Sequence, residues 1–226
     1  MQAIFESIFD IFYLTTVISL GLKMFMAKNK DGQYTLFGIM ALVLGLGDAF
    51  HLIPRSLALN TSGLENWTFS LGFGKMITSI TMTIFYLILY YVWKIRYKIK
   101  NSYILNLVIW LLSIFRIALV LCPENKFMVK NSPFSWALYR NIPFLILGIL
   151  IIIIFYKKSR EVKDEPFKNL WLTIVLSFGF YVPVVIFENT FPPIGILMIP
   201  KTCAYIWTVV IGYKAMKGEK NDKKIF

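Results

Sequence analysis

The sequence predicts an all-α membrane protein built as a seven-transmembrane helix bundle. Apolar residues make up 58% of the 226 residues, which is more than a soluble fold can cover with polar side chains. The apolar residues form runs of about 20, the length that spans a bilayer as a helix. Short polar breaks carry most of the charge. Residues 1–226 are therefore predicted to form a single polytopic membrane domain with no soluble domain.

The runs, taken in order, predict helices at about 4–26, 34–56, 69–93, 102–121, 135–156, 167–188 and 194–215. The first run lacks the basic head and the cleavage site of a signal peptide, so we expect it to be retained. Glycines in the second and third runs predict that these two helices pack closely. Tyr103 and the basic residues before it mark the start of the fourth.

The last three runs have their own signals. The fifth ends in an almost purely aliphatic half, residues 147–155. Pro166, preceded by acidic residues, predicts the opening of the sixth helix. The seventh leads into a basic cytoplasmic tail, 214–226. Pro143, Pro183 and Pro200 are each expected to remove an amide donor inside a helix, which membranes tolerate where the broken turn borders protein or a cavity.

The distribution of charge predicts the orientation. Seventeen of the 24 basic residues fall after helices one, three and five and in the tail. By the positive-inside rule these breaks are cytoplasmic, which puts the amino terminus outside and the carboxyl terminus in the cytoplasm. The abundance of Lys, Asn, Ile and Phe is typical of an AT-rich genome and suggests a bacterial plasma membrane.

Ten further ionisable residues lie within the runs, all in the predicted outer half. A charged side chain there costs about 2.5–3.5 kcal/mol or more unless it is paired or hydrated. We therefore expect these side chains to turn inward and line a polar cavity open to the outside, above a closed apolar floor. The group comprises Glu6, Asp10, Asp48, His51, Arg55, Lys75, Arg116, Arg140, Glu188 and Lys201.

The densest polar stretch, residues 47–55, supplies the candidate catalytic residues. His51, the only histidine, is the candidate general acid or base, because it lies three and four residues from Asp48 and Arg55. Asp48 is either its orienting partner or a carboxylate that activates water. Glu188 and Asp10 are further candidate catalytic carboxylates. The alternative is a structural Asp-His-Arg ladder that only neutralises charge.

Cations in the spans outnumber carboxylates by five to four, which favours an anionic or zwitterionic ligand such as a phosphate-bearing lipid head group. The alternative is that internal ion pairs consume all of these charges. The candidate ligand-binding residues are Arg55, Lys75, Arg116, Arg140, Tyr181, Lys201 and Tyr205.

Two functions follow from such a cavity. The favoured one is a membrane-embedded enzyme, a hydrolase of a lipid or other amphiphile, and the alternative is a receptor or a protein that binds or transports a small solute. The Gly47–Asp48 pair resembles the lysoplasmalogenase family, small polytopic enzymes that also carry an Asp within a membrane helix, and the resemblance implies lipid hydrolysis.

No cofactor motif is present, and we expect none. A metal ion on His51, Asp48, Glu188 and Asp10 would have one nitrogen ligand and several nearby cations, which is a poor zinc signature. Nucleic acid is excluded as a partner because the basic residues lie between membrane spans. The expected partners are membrane lipids and a small amphiphilic or anionic ligand, and the oligomeric state is left open.

Overall fold

The computed structural model describes residues 2–27, 32–130, 132–188 and 190–222, and these are almost entirely helical, with no strand. Seven helices are long and apolar enough to cross a membrane, which confirms the predicted fold class. They are α1 (Gln2–Phe25), α2 (Gln33–Asn60), α3 (Thr68–Arg96), α4 (Tyr103–Leu121), α5 (Phe134–Glu161), α6 (Leu170–Phe187) and α7 (Met198–Asp222). We call the end of the bundle where α1 begins the N-terminal end, and the end where α7 stops the C-terminal end.

The sixth helix begins at Leu170, so the predicted opening at Pro166 is wrong. The carboxylate of Asp164 accepts a hydrogen bond from the backbone N–H of Phe167 and binds Arg96 of α3. These contacts hold the residues after α5 in turns, and the helix starts only beyond them.

The seventh helix also starts later than predicted, after a 3-10 turn at Pro192–Leu197. Pro200 therefore lies in the first turn of α7, where its missing N–H costs no helical hydrogen bond. The expectation that Pro200 breaks a turn is wrong, whereas Pro143 and Pro183 do lie inside α5 and α6. Helix α7 runs on to Asp222, through most of the predicted tail, and 223–226 lie outside the described residues.

Large apolar side chains cover the outside of the bundle. On α1 they recur along one face, where Ile8 and Ile11 are each more than 60% exposed. On α4, Leu111, Ile114 and Phe115 are each 57% exposed. A soluble protein does not expose apolar surface on this scale. This surface is suited to contact with lipid tails.

Helices α2 and α3 approach each other closely at glycines, as the sequence predicts. A Cβ atom added at Gly74 of α3 would collide with backbone atoms of α2, including the Cα of His51 at 2.6 Å. One added at Gly47 of α2 would collide with Thr81 of α3. The glycines thus bring the backbone of α3 directly against the part of α2 that carries His51.

The C-terminal half of the bundle is closed. Large side chains that are fully buried fill it, including Phe37, Leu89, Tyr90, Phe155 and Val209. Close packing of this kind leaves few voids larger than a water molecule. The apolar floor predicted from the sequence is present in the structure.

An ion-pair cluster around Asp164 ties the helices together at the C-terminal end. Arg96 donates to both carboxylate oxygens of Asp164, at 2.5 and 2.7 Å, and to Glu219 of α7 at 3.3 Å. Tyr97 donates to Asp164 at 2.9 Å. Burial raises the pKa of Asp164, but the hydrogen bonds and charge of Arg96 outweigh it and hold that pKa below its ordinary value.

Candidate functional site

A cavity of about 430 Å³ opens into the N-terminal half of the bundle and is lined by residues from all seven helices. Many of its wall residues are apolar, among them Phe9, Leu52, Met82, Val184 and Ile199. Every candidate catalytic and ligand-binding residue from the sequence also lines it. These are Asp10, Asp48, His51, Arg55, Lys75, Arg116, Arg140, Tyr181, Glu188, Lys201 and Tyr205.

Two aspartates lie on the side formed by α1 and α2. Asp48 accepts a hydrogen bond of 2.5 Å from the hydroxyl of Tyr13, which is fully buried. Asp10 makes no hydrogen bond or ion pair with the described residues, although it lies within electrostatic range of Asp48 and Arg55. Asp10 and Asp48 therefore place two carboxyl groups on this side of the cavity.

His51 is oriented by backbone. Its Nδ1 lies 3.4 Å from the carbonyl oxygen of Leu71 in α3, and because a carbonyl has no proton to give, Nδ1 must be the donor. The neutral ring then carries its lone pair on Nε2, which has no hydrogen-bond partner among the described residues. Asp48 does not bond to His51, so the orienting role considered for Asp48 belongs to the Leu71 carbonyl.

Ion pairs occupy the rim of the cavity. Arg55 of α2 donates to Glu6 of α1 from Nε and Nη2, at 3.2 and 3.1 Å. Lys75 of α3 reaches Glu188 of α6 at 3.0 Å, and these two side chains are 48% and 54% exposed. Four of the predicted site charges are thus paired at the cavity rim. The alternative of internal ion pairs therefore holds at these four positions and not at the other charged site residues.

Arg116 of α4 lies deep in the cavity, and no described residue forms an ion pair with it. It is 2% exposed, and its guanidinium carbon lies 3.2 Å from the centre of the Phe144 ring. Its Nε and Nη1 are buried and have no hydrogen-bond partner among the described residues. A buried guanidinium with unused donors is expensive, because its lost hydration is not replaced by protein acceptors.

Lys201 of α7 is a second buried cation on this side. It is 7% exposed, and its ammonium lies 4.5 Å from the ring centre of Tyr181 and 5.4 Å from that of Tyr205. It makes no ion pair within 4 Å with any described residue, although Asp48 attracts it at longer range. The two rings stabilise the ammonium without neutralising its charge.

Arg140 of α5 lines the cavity and also contacts residues of the α4–α5 connection. Its Nη1 donates to Asn125 at 2.8 Å, and its guanidinium lies over the ring of Phe127. Asn125 is fully buried and uses its amide to cap carbonyls at the end of α4, including those of Leu119 and Cys122. Arg140 therefore anchors the α4–α5 connection while it faces the cavity.

The site also depends on groups that the sequence did not indicate. The Leu71 carbonyl orients His51, and the Phe144 ring lies against the Arg116 guanidinium. Asn141 accepts a hydrogen bond of 2.9 Å from the hydroxyl of Tyr181. A carbonyl leaves no sequence signal, and an aromatic residue in an apolar run has many explanations. Only the amide of Asn141, unusual within a span, gave a signal that could have been followed.

Among the described residues, no group of three or more His, Cys, Asp and Glu side chains is arranged to hold a metal ion. Comparison with known proteins gives no further guide: the chain matches no protein-family model, no curated protein and no solved structure.

Proposed function

We propose that this protein is a membrane-embedded hydrolase whose substrate is a lipid or another amphiphile. One observation carries the proposal: the only histidine, oriented through Nδ1, lies in the same cavity as two aspartates and two buried cations that form no ion pair with a described residue. Charge neutralisation does not explain why all of these groups lie in one cavity, since one cation and one carboxylate are enough to neutralise each other. Charged groups that remain unpaired in a shared cavity are typical of a functional site.

The chemistry assigned to this site is attack by water. Nε2 of His51 takes a proton from a water molecule while the water oxygen attacks the acyl carbon or phosphorus of an ester. The bond to the leaving oxygen breaks, and that oxygen receives a proton from the imidazolium. Asp48 and Asp10 help to orient the water, and the cations stabilise the negative charge that develops on the ester oxygens.

The walls support an amphiphilic substrate. A ligand with an apolar chain would lie against Phe9, Leu52 and Ile199, while its polar group meets the charged residues. The closed C-terminal half offers no continuous path across the bundle, which makes hydrolysis a better proposal than transport. We also propose that the cavity faces the outside of a bacterial plasma membrane, so that substrate comes from the outer leaflet.

Turnover of a lipid extract by purified protein, followed by mass spectrometry, tests the proposal. We expect His51→Ala and Asp48→Asn each to lower the rate, His51→Ala by about 10²–10⁴-fold because general acid–base catalysis contributes that much. Glu65→Gln is the matched control, since Glu65 is exposed and outside the cavity. Wild-type rates in both site variants would overturn the proposal. A lipid that stays bound to wild-type protein without turnover would instead support the receptor.

A further inference from the structure

We infer that Arg116 and Lys201 form a binding subsite for the phosphate group of an amphiphile. This inference rests on the proposed function and specifies the substrate class at the same cavity. Arg116 is the deciding residue, because it is 98% buried, lines the cavity and has donors on Nε and Nη1 that no described residue satisfies. Nε and Nη1 are closed off from the cavity, whereas Nη2 makes no hydrogen bond to a described residue and remains open to an acceptor from a ligand or solvent.

The balance of charge in the cavity favours an anion. The rim pairs Arg55–Glu6 and Lys75–Glu188 neutralise themselves. The other charged lining residues are Arg116, Arg140 and Lys201 against Asp10 and Asp48, which leaves one positive charge in excess. A ligand carrying at least one negative charge would restore neutrality at the depth where hydrocarbon surrounds the bundle.

The cations that would bind the phosphate and the groups that would carry out the reaction come from different helices. The two buried cations come from α4 and α7, and Arg140 adds a third cation from α5, whereas Asp10, Asp48 and His51 come from α1 and α2. Lys201 lies within electrostatic range of both Arg116 and Asp48, so a phosphate held between Arg116 and Lys201 would leave Asp10 and His51 for the water and the reacting bond. Arg116 and Lys201 are in this arrangement specificity-determining residues.

Phosphate fits these donors better than a neutral polar group does. The Phe144 ring lies against the Arg116 guanidinium, and an oxyanion would approach Nη2, the guanidinium nitrogen that is not closed off. Lys201 adds a point charge beside the rings of Tyr181 and Tyr205. Charge-assisted hydrogen bonds of this kind are stronger than neutral ones.

A binding measurement with two matched lipids tests the subsite. The probes are oleoyl lysophosphatidate and mono-oleoylglycerol, which differ only in the phosphate, offered to detergent-purified full-length protein. We expect wild type to bind lysophosphatidate at least 10-fold more tightly. Arg116→Gln and Lys201→Gln should each weaken that binding by about 10- to 100-fold, the effect of losing a charged hydrogen-bond partner. Lys130→Gln, which changes an exposed lysine outside the cavity, is the control and should bind lysophosphatidate as wild type does.

Folding and ligand source are checked in the same experiment. Arg116→Lys keeps the charge without the guanidinium, and we expect it to fold and to bind with intermediate affinity, so that a loss in Arg116→Gln is not mistaken for misfolding. Inorganic phosphate at millimolar concentration should compete with lysophosphatidate if the phosphate alone is recognised. If inorganic phosphate bound as tightly as lysophosphatidate, the ligand of this subsite would be a soluble phosphate, and the proposal of an amphiphile would be wrong.

The subsite and the hydrolase can fail separately. Equal affinity for the two lipids, or wild-type affinity in both glutamine variants, overturns the subsite even if His51-dependent hydrolysis of neutral esters is found. Tight binding of lysophosphatidate that depends on Arg116, with no turnover of any lipid, supports the subsite and overturns the hydrolase.

Discussion

His51 is held from two sides by main-chain atoms of α3. The Leu71 carbonyl accepts its Nδ1 hydrogen, and Gly74 lies directly against its Cα. Backbone in a packed helix moves less than a side chain does, so the imidazole has a fixed direction. The position of the candidate base therefore depends on a residue that has no side chain at all.

Replacing Gly74 with Ala should push α2 and α3 apart, because the new methyl group would collide with backbone that cannot rotate away. We expect a loss of stability of about 1–3 kcal/mol, as for other overpacked sites. Turnover should also fall, because His51 moves with α2. The measurement is thermal unfolding in detergent together with the lipid turnover assay.

Gly179→Ala is the control for this change. Gly179 also lies within a helix, but a Cβ atom there would meet nothing within 4 Å. Alanine is a better helix former than glycine, so this variant should be as stable as wild type or slightly more so. Equal stability of the two variants would mean that α2 and α3 are not in contact at Gly74.

Among the elements, the turn between α5 and α6 owes its shape to Asp164, which is 5% exposed in its ion pair with Arg96. The pair is bidentate and links α3 to this turn, while Glu219 extends the cluster to α7. The same contact keeps the sixth helix from starting at Pro166. A tertiary contact thus overrides a good local helix signal.

Replacing Asp164 with Asn should destabilise the protein by about 3–5 kcal/mol at pH 7, because it breaks a buried ion pair. In wild type the pKa of Asp164 is held below its ordinary value of 3.8, so its contribution is fully present above that value. The contribution disappears as pH falls through the lowered pKa. Thermal unfolding between pH 7 and pH 3 should show wild type losing its advantage over Asp164→Asn only below about pH 4.

Glu161→Gln serves as the comparison at the same end of the bundle. Glu161 pairs with Lys158 one helical turn away and is 63% exposed, so its loss should change stability by less than about 0.5 kcal/mol. If Asp164→Asn were as mild as this variant, the cluster would not hold the helices together.

The helices could be predicted because a long apolar run that crosses a membrane must satisfy its backbone hydrogen bonds internally, as a helix does. Faces were predictable too: Asp48, His51 and Arg55 had to point inward. The hydrogen-bond and ion-pair partners on neighbouring helices could not be predicted, since they depend on how each helix is rotated and tilted against the next. Arg55 thus reaches Glu6 on α1, and Asp48 meets Tyr13 and leaves His51 to the Leu71 carbonyl.

At the scale of the whole molecule, the charge distribution predicts that the N-terminal end of the bundle faces the outside. Single cysteines test this in a protein whose Cys122 and Cys203 have been replaced by Ala. Glu124→Cys lies in the exposed α4–α5 connection, and Asn101→Cys in the exposed α3–α4 connection. In intact bacterial cells a membrane-impermeant maleimide should label Glu124→Cys only, because the predicted orientation puts Asn101 on the cytoplasmic side.

Permeabilised cells provide the reference, since both cysteines should then react. Labelling of Asn101→Cys alone in intact cells would reverse the orientation. In that case the cavity would face the cytoplasm, and the substrate would have to come from the inner leaflet.

The two ends of the bundle are fastened with unequal strength. At the cavity end, Lys75 and Glu188 join α3 to α6 through an exposed pair of the kind that contributes at most about 1 kcal/mol. At the other end Arg96 and Asp164 are buried and doubly bonded. Thermal fluctuations will therefore part the helices first at the weakly fastened end, and the closed half will act as the hinge about which they separate.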